Sequence, residues 1–103
     1  MISNPAPMHP GLVLAEVYMT EMALNQSSLA KLCGCAPRKI NEIVNGKRAI
    51  SPSFAIVLEK TLGTSAEMWV RMQADYDLWQ ARRRVAYTYS DPSPAQPPPI
   101  PNH

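Results

Sequence analysis

The sequence contains no apolar run long enough to cross a membrane, since such a run needs about 18 residues. Its first residues, 1–24, also lack the charged and then apolar segments of a secretory leader. These two absences predict a soluble, unexported chain that resides in the cytoplasm and makes no contact with a membrane.

Histidine and cysteine are scarce, which argues against a metal centre. The chain holds only His9, His103, Cys33 and Cys35, fewer ligands than a metal site needs at a suitable spacing. A disulfide between the two cysteines would strain the turn at Gly34 and close almost no loop. A redox switch would need a base beside a thiol, and the sequence shows none. We therefore expect two reduced thiols, one of them filling part of the core, and no metal or cofactor.

The residues of an active site are also missing. No nucleophile has a paired base, no carboxylate pair suggests general acid–base catalysis, and no glycine-rich loop is present to hold phosphate. Because catalysis depends on such positioned groups, we expect a binding protein and not an enzyme.

Charge is modest overall but unevenly distributed. The net charge of +2 does not by itself imply a nucleic-acid partner. Between positions 38 and 48, however, Glu42 is the only anion, and the four cations there are Arg38, Lys39, Lys47 and Arg48. Such a cluster attracts a phosphate backbone, although an ordinary solvated surface can carry one too.

A short helix is predicted between Asn25 and Gly34. Asn25 is a good N-cap, because its side-chain oxygen accepts from a backbone N–H of the first turn. Gly34 ends the helix, since glycine enters the left-handed region without a steric cost. The expected apolar face consists of Leu29, Ala30 and Leu32.

A second helix follows after the glycine turn. Pro37 suits its first position and Asn45-Gly46 closes it. The buried stripe, at three- and four-residue spacing, consists of Ile40, Ile43 and Val44. The outward face then carries Pro37, Arg38, Asn41, Glu42 and Asn45. Two helices around a glycine turn, with arginine and asparagine outward, form a helix-turn-helix pattern.

Two further helices flank this motif. The first helix of the chain is expected from Pro10 to about Met22, before the motif. The fourth helix is expected after the motif, from Pro52 to about Leu62, with Ser51 as its N-cap and Gly63 at its end. Their expected buried residues are Leu12, Val13, Val17 and Met19 in the first, and Phe54, Ile56, Val57, Leu58 and Leu62 in the fourth.

A fifth helix is expected from a capping box at Thr64 and Glu67 to about Arg83. Its stripe of large residues consists of Met68, Trp69, Met72, Tyr76 and Trp79. We expect the early part of this stripe in the core and the later part near a dimer contact, because aromatic residues and methionine are enriched in interfaces. The candidate contact residues are Tyr76, Trp79, Arg83, Val85 and Tyr87.

The two ends of the chain have different compositions. Residues 1–9, with Pro5 and Pro7, are expected to form a flexible arm, and residues 10–84 the helical domain. Residues 85–103 are expected to form an extended, proline-rich and mostly disordered tail. From Val85 to Tyr89 branched or aromatic residues alternate with small ones, which predicts a short extended segment. Six of the thirteen residues from Asp91 onward are proline, which predicts a polyproline-like or disordered chain.

The wider pattern resembles the HigA-type antitoxins of the Xre, or lambda-repressor-like, helix-turn-helix family over roughly residues 8–83. The matching segments are His9-Pro10-Gly11, Leu24-Asn25-Gln26, Leu29-Ala30, Gly34, Ile40 to Arg48, Met68-Trp69 and Tyr76 to Trp79. The resemblance implies an all-α, five-helix fold and a homodimer that represses transcription by binding double-stranded operator DNA. It also implies a toxin partner, an mRNA-cleaving ribonuclease of the HigB/RelE type.

The resemblance further implies which residues meet DNA. Gln26 would meet phosphate at a helix N-terminus, and Lys47 and Arg48 would contact the sugar–phosphate backbone. The polar residues of the second helix would face bases, since arginine suits guanine, asparagine suits adenine and glutamate suits cytosine. The full candidate set is Gln26, Ser27, Pro37, Arg38, Lys39, Asn41, Glu42, Asn45, Lys47 and Arg48.

Two residues depart from the family pattern. Ala36 stands where a capping serine or threonine is usual, a loss of about 1 kcal/mol. Pro37 replaces a position that often reads a base.

Three functions are compatible with this sequence: an antitoxin that represses its own operon, a free-standing repressor without a toxin, and an interaction module that no longer binds DNA. The retained Gln26, Arg38, Asn41 and Lys47-Arg48 argue against the third. A toxin-like reading frame beside the gene would separate the first two. The proline-rich tail is a poor toxin ligand, so we expect the folded domain to hold the toxin.

Overall fold

The computed structural model describes residues 6–88, the last two by their backbone alone. This part of the chain contains five helices and no strand, which confirms the predicted all-α fold. No helix within it is both long and apolar enough to cross a membrane. The helices are α1 (Pro10–Val13, continued as a π-helix over Leu14–Met19), α2 (Gln26–Cys33), α3 (Pro37–Val44), α4 (Pro52–Leu62) and α5 (Ala66–Thr88).

The π-helical half of α1 changes which side chains face inward. Leu14 and Met19, five residues apart, are both buried, whereas Leu12 and Val17 are exposed. The expectation that Leu12 and Val17 lie on the buried face is therefore wrong. A π-helix makes i to i+5 hydrogen bonds, so the three- and four-residue spacing of an α-helix no longer identifies the inward face.

One hydrophobic core joins the five helices. Helix α2 packs on α3, α4 packs on α5, and α1 contacts both α3 and α5. Leu29, Ile40, Leu58 and Trp69, one from each of the last four helices, have no exposed surface. The early part of the α5 stripe therefore lies in the core, as predicted.

Two residues expected in this core are exposed instead. In α2, Leu29 and Ala30 define the inward face, and Leu32 falls outside it with 58% of its surface exposed. In α4, Ile56 lies two residues from Phe54, roughly 200° around the helix, and is 47% exposed. The assignment of Leu32 and Ile56 to the core is wrong, because hydrophobicity alone does not fix the centre of the buried face.

Both ends of α4 follow from local sequence as predicted. The Ser51 hydroxyl accepts from the Phe54 backbone N–H at 3.1 Å, and Pro52 occupies the first turn. Gly63 ends the helix with a φ of 74°, in the left-handed region that glycine adopts readily.

Helix α5 differs from its prediction at both ends. Ser65, not Thr64, caps it, since the Ser65 hydroxyl accepts from the Met68 N–H at 3.2 Å. The Thr64 hydroxyl accepts instead from the indole N–H of Trp69 at 2.7 Å.

The helix also continues to Thr88, so the backbone from Val85 to Thr88 is helical and not extended. No proline or glycine interrupts the sequence there, and five alternating residues do not outweigh propagation from the preceding turns. The expected domain boundary at residue 84 thus falls within α5. The proline-rich tail and residues 1–5 lie outside the described residues.

The two cysteines pack against the edge of the core. Cys33 and Cys35 are free and half-buried. Burial raises the pKa of the Cys33 thiol, which disfavours the nucleophilic thiolate at neutral pH. A packing role for these thiols agrees with the sequence prediction.

Candidate nucleic-acid interface

The start of α2 is fixed by a reciprocal cap. The Asn25 carboxamide oxygen accepts from the Ser28 N–H at 2.8 Å, and the Ser28 hydroxyl accepts from the Asn25 N–H at 2.9 Å. This confirms the predicted N-cap and places Gln26 at the first helical position. A helix N-terminus presents N–H groups and partial positive charge, both of which suit phosphate.

A tight turn sets α3 against α2. Gly34 has a φ of 71°, and the Cys35 N–H reaches back to the Ala30 carbonyl at 3.0 Å. Helix α3 then begins at Pro37, and Ala36 makes no side-chain cap bond. The predicted turn and the missing cap are both confirmed.

Helix α3, the recognition helix of the motif, turns its polar face outward. Ile40 and Ile43 are fully buried, while Arg38 and Asn41 are exposed. The Asn41 amide donates to the Gln26 side-chain oxygen at 3.1 Å. This bond joins the outer face of α3 to the N-terminus of α2, so residues 15 apart in sequence form one polar surface.

Glu42 pairs with two arginines of the candidate set. Its carboxylate accepts from Arg48 Nε at 2.8 Å and from Arg38 Nε at 3.3 Å. The hydrogen bond from Arg48, followed by the charge of Arg48 and the contacts of Arg38, holds the pKa of Glu42 below its ordinary value. The carboxylate is therefore ionised at neutral pH.

Two other candidate DNA-binding residues, Lys39 and Asn45, make contacts within the protein. The Lys39 ammonium lies 4.4 Å from the centre of the Phe54 ring, so it stacks on α4. The Asn45 amide donates to the Asn41 carbonyl at 2.8 Å. Their contribution to DNA binding stays a prediction.

The loop after α3, residues 45–51, is anchored by a residue that the sequence did not reveal. The Gln73 side-chain oxygen accepts from the Ile50 N–H at 2.8 Å, and its amide donates to Asp77 at 2.9 Å. Gln73 is buried, and its bond fixes the end of the loop that carries Lys47 and Arg48. The sequence did contain a signal for this role, because Gln73 is a lone polar residue in the apolar stripe of α5, four positions after Trp69.

A second missed residue, Gly11, lets α1 approach the recognition helix. A Cβ atom on Gly11 would lie 1.7 Å from the backbone oxygen of Ile43. His9 caps this helix by accepting the Gly11 N–H on Nδ1 at 2.9 Å. Burial lowers the pKa of His9, although the charge of Asp77 opposes this effect.

The candidate residues therefore gather on three adjoining elements. Two hydrogen-bonded groups, Gln26–Asn41–Asn45 and Arg38–Glu42–Arg48, link α2, α3 and the following loop. The remaining exposed members are Ser27, Pro37 and Lys47. This arrangement presents amides and cations on one surface.

The candidate dimer residues lie on the second half of α5. The Tyr76 ring packs edge-on against His9 at 4.9 Å and lies 6.0 Å from the Trp79 ring, and the Arg83 guanidinium lies 4.8 Å from that indole. Tyr76 and Trp79 are therefore half-buried within the protomer. Both side chains are partly exposed, and their place in a dimer contact stays a prediction.

Beyond them, half of the surface of Val85 is exposed. Tyr87 lies in the helical part of α5, but its side chain is outside the described residues. A dimer contact at these two positions stays a prediction.

Comparison with known proteins identifies the motif. Residues 17–69, more than half of the chain, match the helix-turn-helix family HTH_3. The chain belongs to the Xre-type helix-turn-helix family. The matched segment of this helix-turn-helix protein runs from the π-helical part of α1 to Trp69, so it includes the whole candidate surface.

The helix-turn-helix protein is also similar to named relatives. It is 44% identical over 73 residues to virulence-associated protein A of Dichelobacter nodosus, covering 70% of this chain and 72% of the relative. A HigA-family addiction module antidote protein from Coxiella burnetii superimposes with a TM-score of 0.76 at 29% identity, covering 91% of this chain and all of the other.

A third comparison includes DNA. The Pseudomonas aeruginosa antitoxin HigA, solved with the higBA promoter, has a TM-score of 0.75 and 28% identity, covering 87% of this chain and 99% of the other. The resemblance to HigA antitoxins drawn from the sequence is confirmed.

Proposed function

We propose that this helix-turn-helix protein is an antitoxin that represses its own operon. In this proposal it binds operator DNA as a homodimer in the cytoplasm and neutralises an mRNA-cleaving toxin of the HigB/RelE type. It carries out no catalytic step itself.

The observation that carries the DNA-binding part is the polar surface shared by α2 and α3. The Gln26–Asn41 bond holds a phosphate-facing helix end beside an outward asparagine, and Arg38 extends from the same face. Amide and guanidinium groups in this arrangement suit the base edges of the major groove. The HigA antitoxin solved with promoter DNA has the same fold, which supports this use of the surface.

A homodimer follows from the small size of the surface. One recognition helix contacts few bases, and repressors of this type pair so that two such helices enter successive major grooves about 34 Å apart. The proposed contact is the second half of α5, where Tyr76 and Trp79 are partly exposed and Val85 is exposed.

The DNA-binding residues should fall into two classes, those that contact phosphate and those that contact a base. Lys47→Ala should weaken binding to all sequences and flatten the salt dependence by roughly 0.9 for each phosphate that the side chain neutralises in wild type. Arg38→Ala should relax preference at one base position, at a cost of about 1–3 kcal/mol. Fluorescence anisotropy with promoter and shuffled duplexes at several salt concentrations measures both quantities.

Lys60→Ala is the matched control, because Lys60 is an exposed lysine on α4, outside the candidate surface. It should change neither the salt dependence nor the base preference. Equal losses of affinity in Arg38→Ala on promoter and shuffled DNA would show that Arg38 does not read a base.

The toxin-binding part of the proposal assigns neutralisation to the folded domain. Prolines from Asp91 onward cannot donate backbone hydrogen bonds, and Ile100 is the only large apolar residue there. A preformed surface binds with less ordering cost than a segment that must first become ordered. The antidote protein of the HigA family supports an antitoxin role by its similarity to this chain.

A chain that ends at Ser90 should therefore retain toxin binding. The test mixes it, and the full chain as reference, with the product of the toxin-like reading frame beside the gene, and measures complex formation and mRNA cleavage. Promoter binding by the shortened chain reports that it is folded. If it binds promoter DNA but no longer silences the toxin, the tail carries out neutralisation and this assignment is wrong.

A further inference from the structure

The Glu42 carboxylate lies between two arginines of the candidate DNA surface. One oxygen accepts from Arg48 Nε at 2.8 Å and the other from Arg38 Nε at 3.3 Å. The Glu42 side chain is only 25% exposed, whereas Arg38 and Arg48 are 87% and 50% exposed. A largely covered anion thus offsets one of the two positive charges carried by cations that face solvent.

This pairing lowers the positive charge of the surface, because the four cations between positions 38 and 48 and the one anion, Glu42, sum to a net charge of +3. Of the four cations between positions 38 and 48, Arg38 and Arg48 pair with Glu42, and the Lys39 ammonium stacks on the Phe54 ring. Among the described residues of that segment, Lys47 is the one cation that makes neither kind of contact. Binding to arbitrary DNA depends on cations that replace counterions along the phosphate backbone, so each offset charge weakens it.

The geometry of the two ion pairs also orients the arginines. Both bonds engage Nε, and a guanidinium carries further N–H donors on its terminal nitrogens. Those terminal groups remain available for the bidentate contacts that arginine makes with guanine or phosphate. The same carboxylate therefore reduces charge and directs the donors.

We propose that Glu42 determines DNA specificity by lowering affinity for non-operator DNA while holding Arg38 and Arg48 in the orientation that operator DNA requires. This inference rests on the proposed function as an operator-binding protein. On arbitrary DNA only the reduction in positive charge affects the affinity. On operator DNA the orientation of the arginines, and the ability of the carboxylate to accept from cytosine N4, compensate for that reduction.

The test compares wild type with Glu42→Gln, which keeps the side-chain shape and removes the charge. The probes are a duplex from the DNA directly upstream of the chain's own reading frame and a shuffled duplex of equal composition. Glu42→Gln should bind the shuffled duplex about three- to tenfold more tightly, the scale of two exposed ion pairs, with a steeper salt dependence. Its affinity for the upstream duplex should stay unchanged or fall.

Glu16→Gln is the matched control, because Glu16 is an exposed glutamate on α1 and its replacement changes the net charge equally. It should leave the ratio of the two affinities as in wild type. If Glu42→Gln increases the affinity for both duplexes equally, or behaves like Glu16→Gln, Glu42 does not determine specificity. A wild-type chain that binds both duplexes equally would overturn the proposed function and this inference together, whereas wild-type discrimination with an unchanged Glu42→Gln ratio would overturn this inference alone.

Discussion

Replacing Gly11 with alanine is expected to lower the free energy of unfolding by about 3 kcal/mol or more. The added Cβ would lie 1.7 Å from the backbone oxygen of Ile43 and 2.6 Å from its carbonyl carbon. Both atoms belong to the main chain of the recognition helix, so no change of rotamer relieves the overlap. Helix α1 must move away from α3, and DNA binding should fall with stability. Urea unfolding followed by circular dichroism measures the decrease.

Gly63→Ala provides the matched control for this prediction. No atom lies within 4 Å of a Cβ at Gly63, but its φ of 74° is unfavourable for alanine, at a cost of about 1–2 kcal/mol. Gly11→Ala should therefore destabilise the protein clearly more than Gly63→Ala. Equal destabilisation would show that the close approach of α1 to α3 does not exist in solution.

Replacing Trp69 with alanine is the second change with a large expected effect, a decrease in stability of about 3–5 kcal/mol. The Trp69 side chain has no exposed surface, its ring centre lies 5.5 Å from that of Tyr18, and its N–H donates to Thr64 at 2.7 Å. Truncation removes these interactions and leaves a cavity where α5 meets α1. Because whole domains have only about 5–15 kcal/mol of stability, this loss is a large fraction of the total. Thermal unfolding in the same buffer measures the change.

Trp79→Ala tests whether the two halves of the α5 stripe have different roles. Trp79 is half-buried and contacts Tyr76 and Arg83, so its truncation should cost less stability than that of Trp69. If the second half of α5 forms the dimer contact, Trp79→Ala should also shift sedimentation toward the monomer. Similar unfolding temperatures for the two variants would contradict the division of the stripe.

Much of the fold could be predicted because its signals are local. Asn25, Gly34, Ser51 and Gly63 act through atoms within a few residues, and each lies at the helix end predicted for it. Caps depend on side-chain type and backbone conformation at a single position, which sequence reveals directly.

Features that depend on tertiary packing could not be predicted in this way. The π-helix of α1 follows the α-helical turn in which Gly11 meets the backbone of Ile43, a close approach between residues 32 positions apart. The sequence also placed Glu42 among base-reading residues without indicating its bond to Arg48, which lies beyond the end of α3. Side-chain pairing between a helix and the loop that follows it depends on the path of the loop, which residue types alone do not determine.

The most direct test of DNA binding by paired recognition helices is a dimethyl sulfate footprint of the wild-type chain. Dimethyl sulfate modifies guanine N7, which lies in the major groove where arginine would bind. On the DNA upstream of the chain's own reading frame, we expect two protected segments about 34 Å apart, and no protection on a shuffled duplex. A single protected segment, or equal protection of both duplexes, would show that paired recognition helices do not bind this DNA.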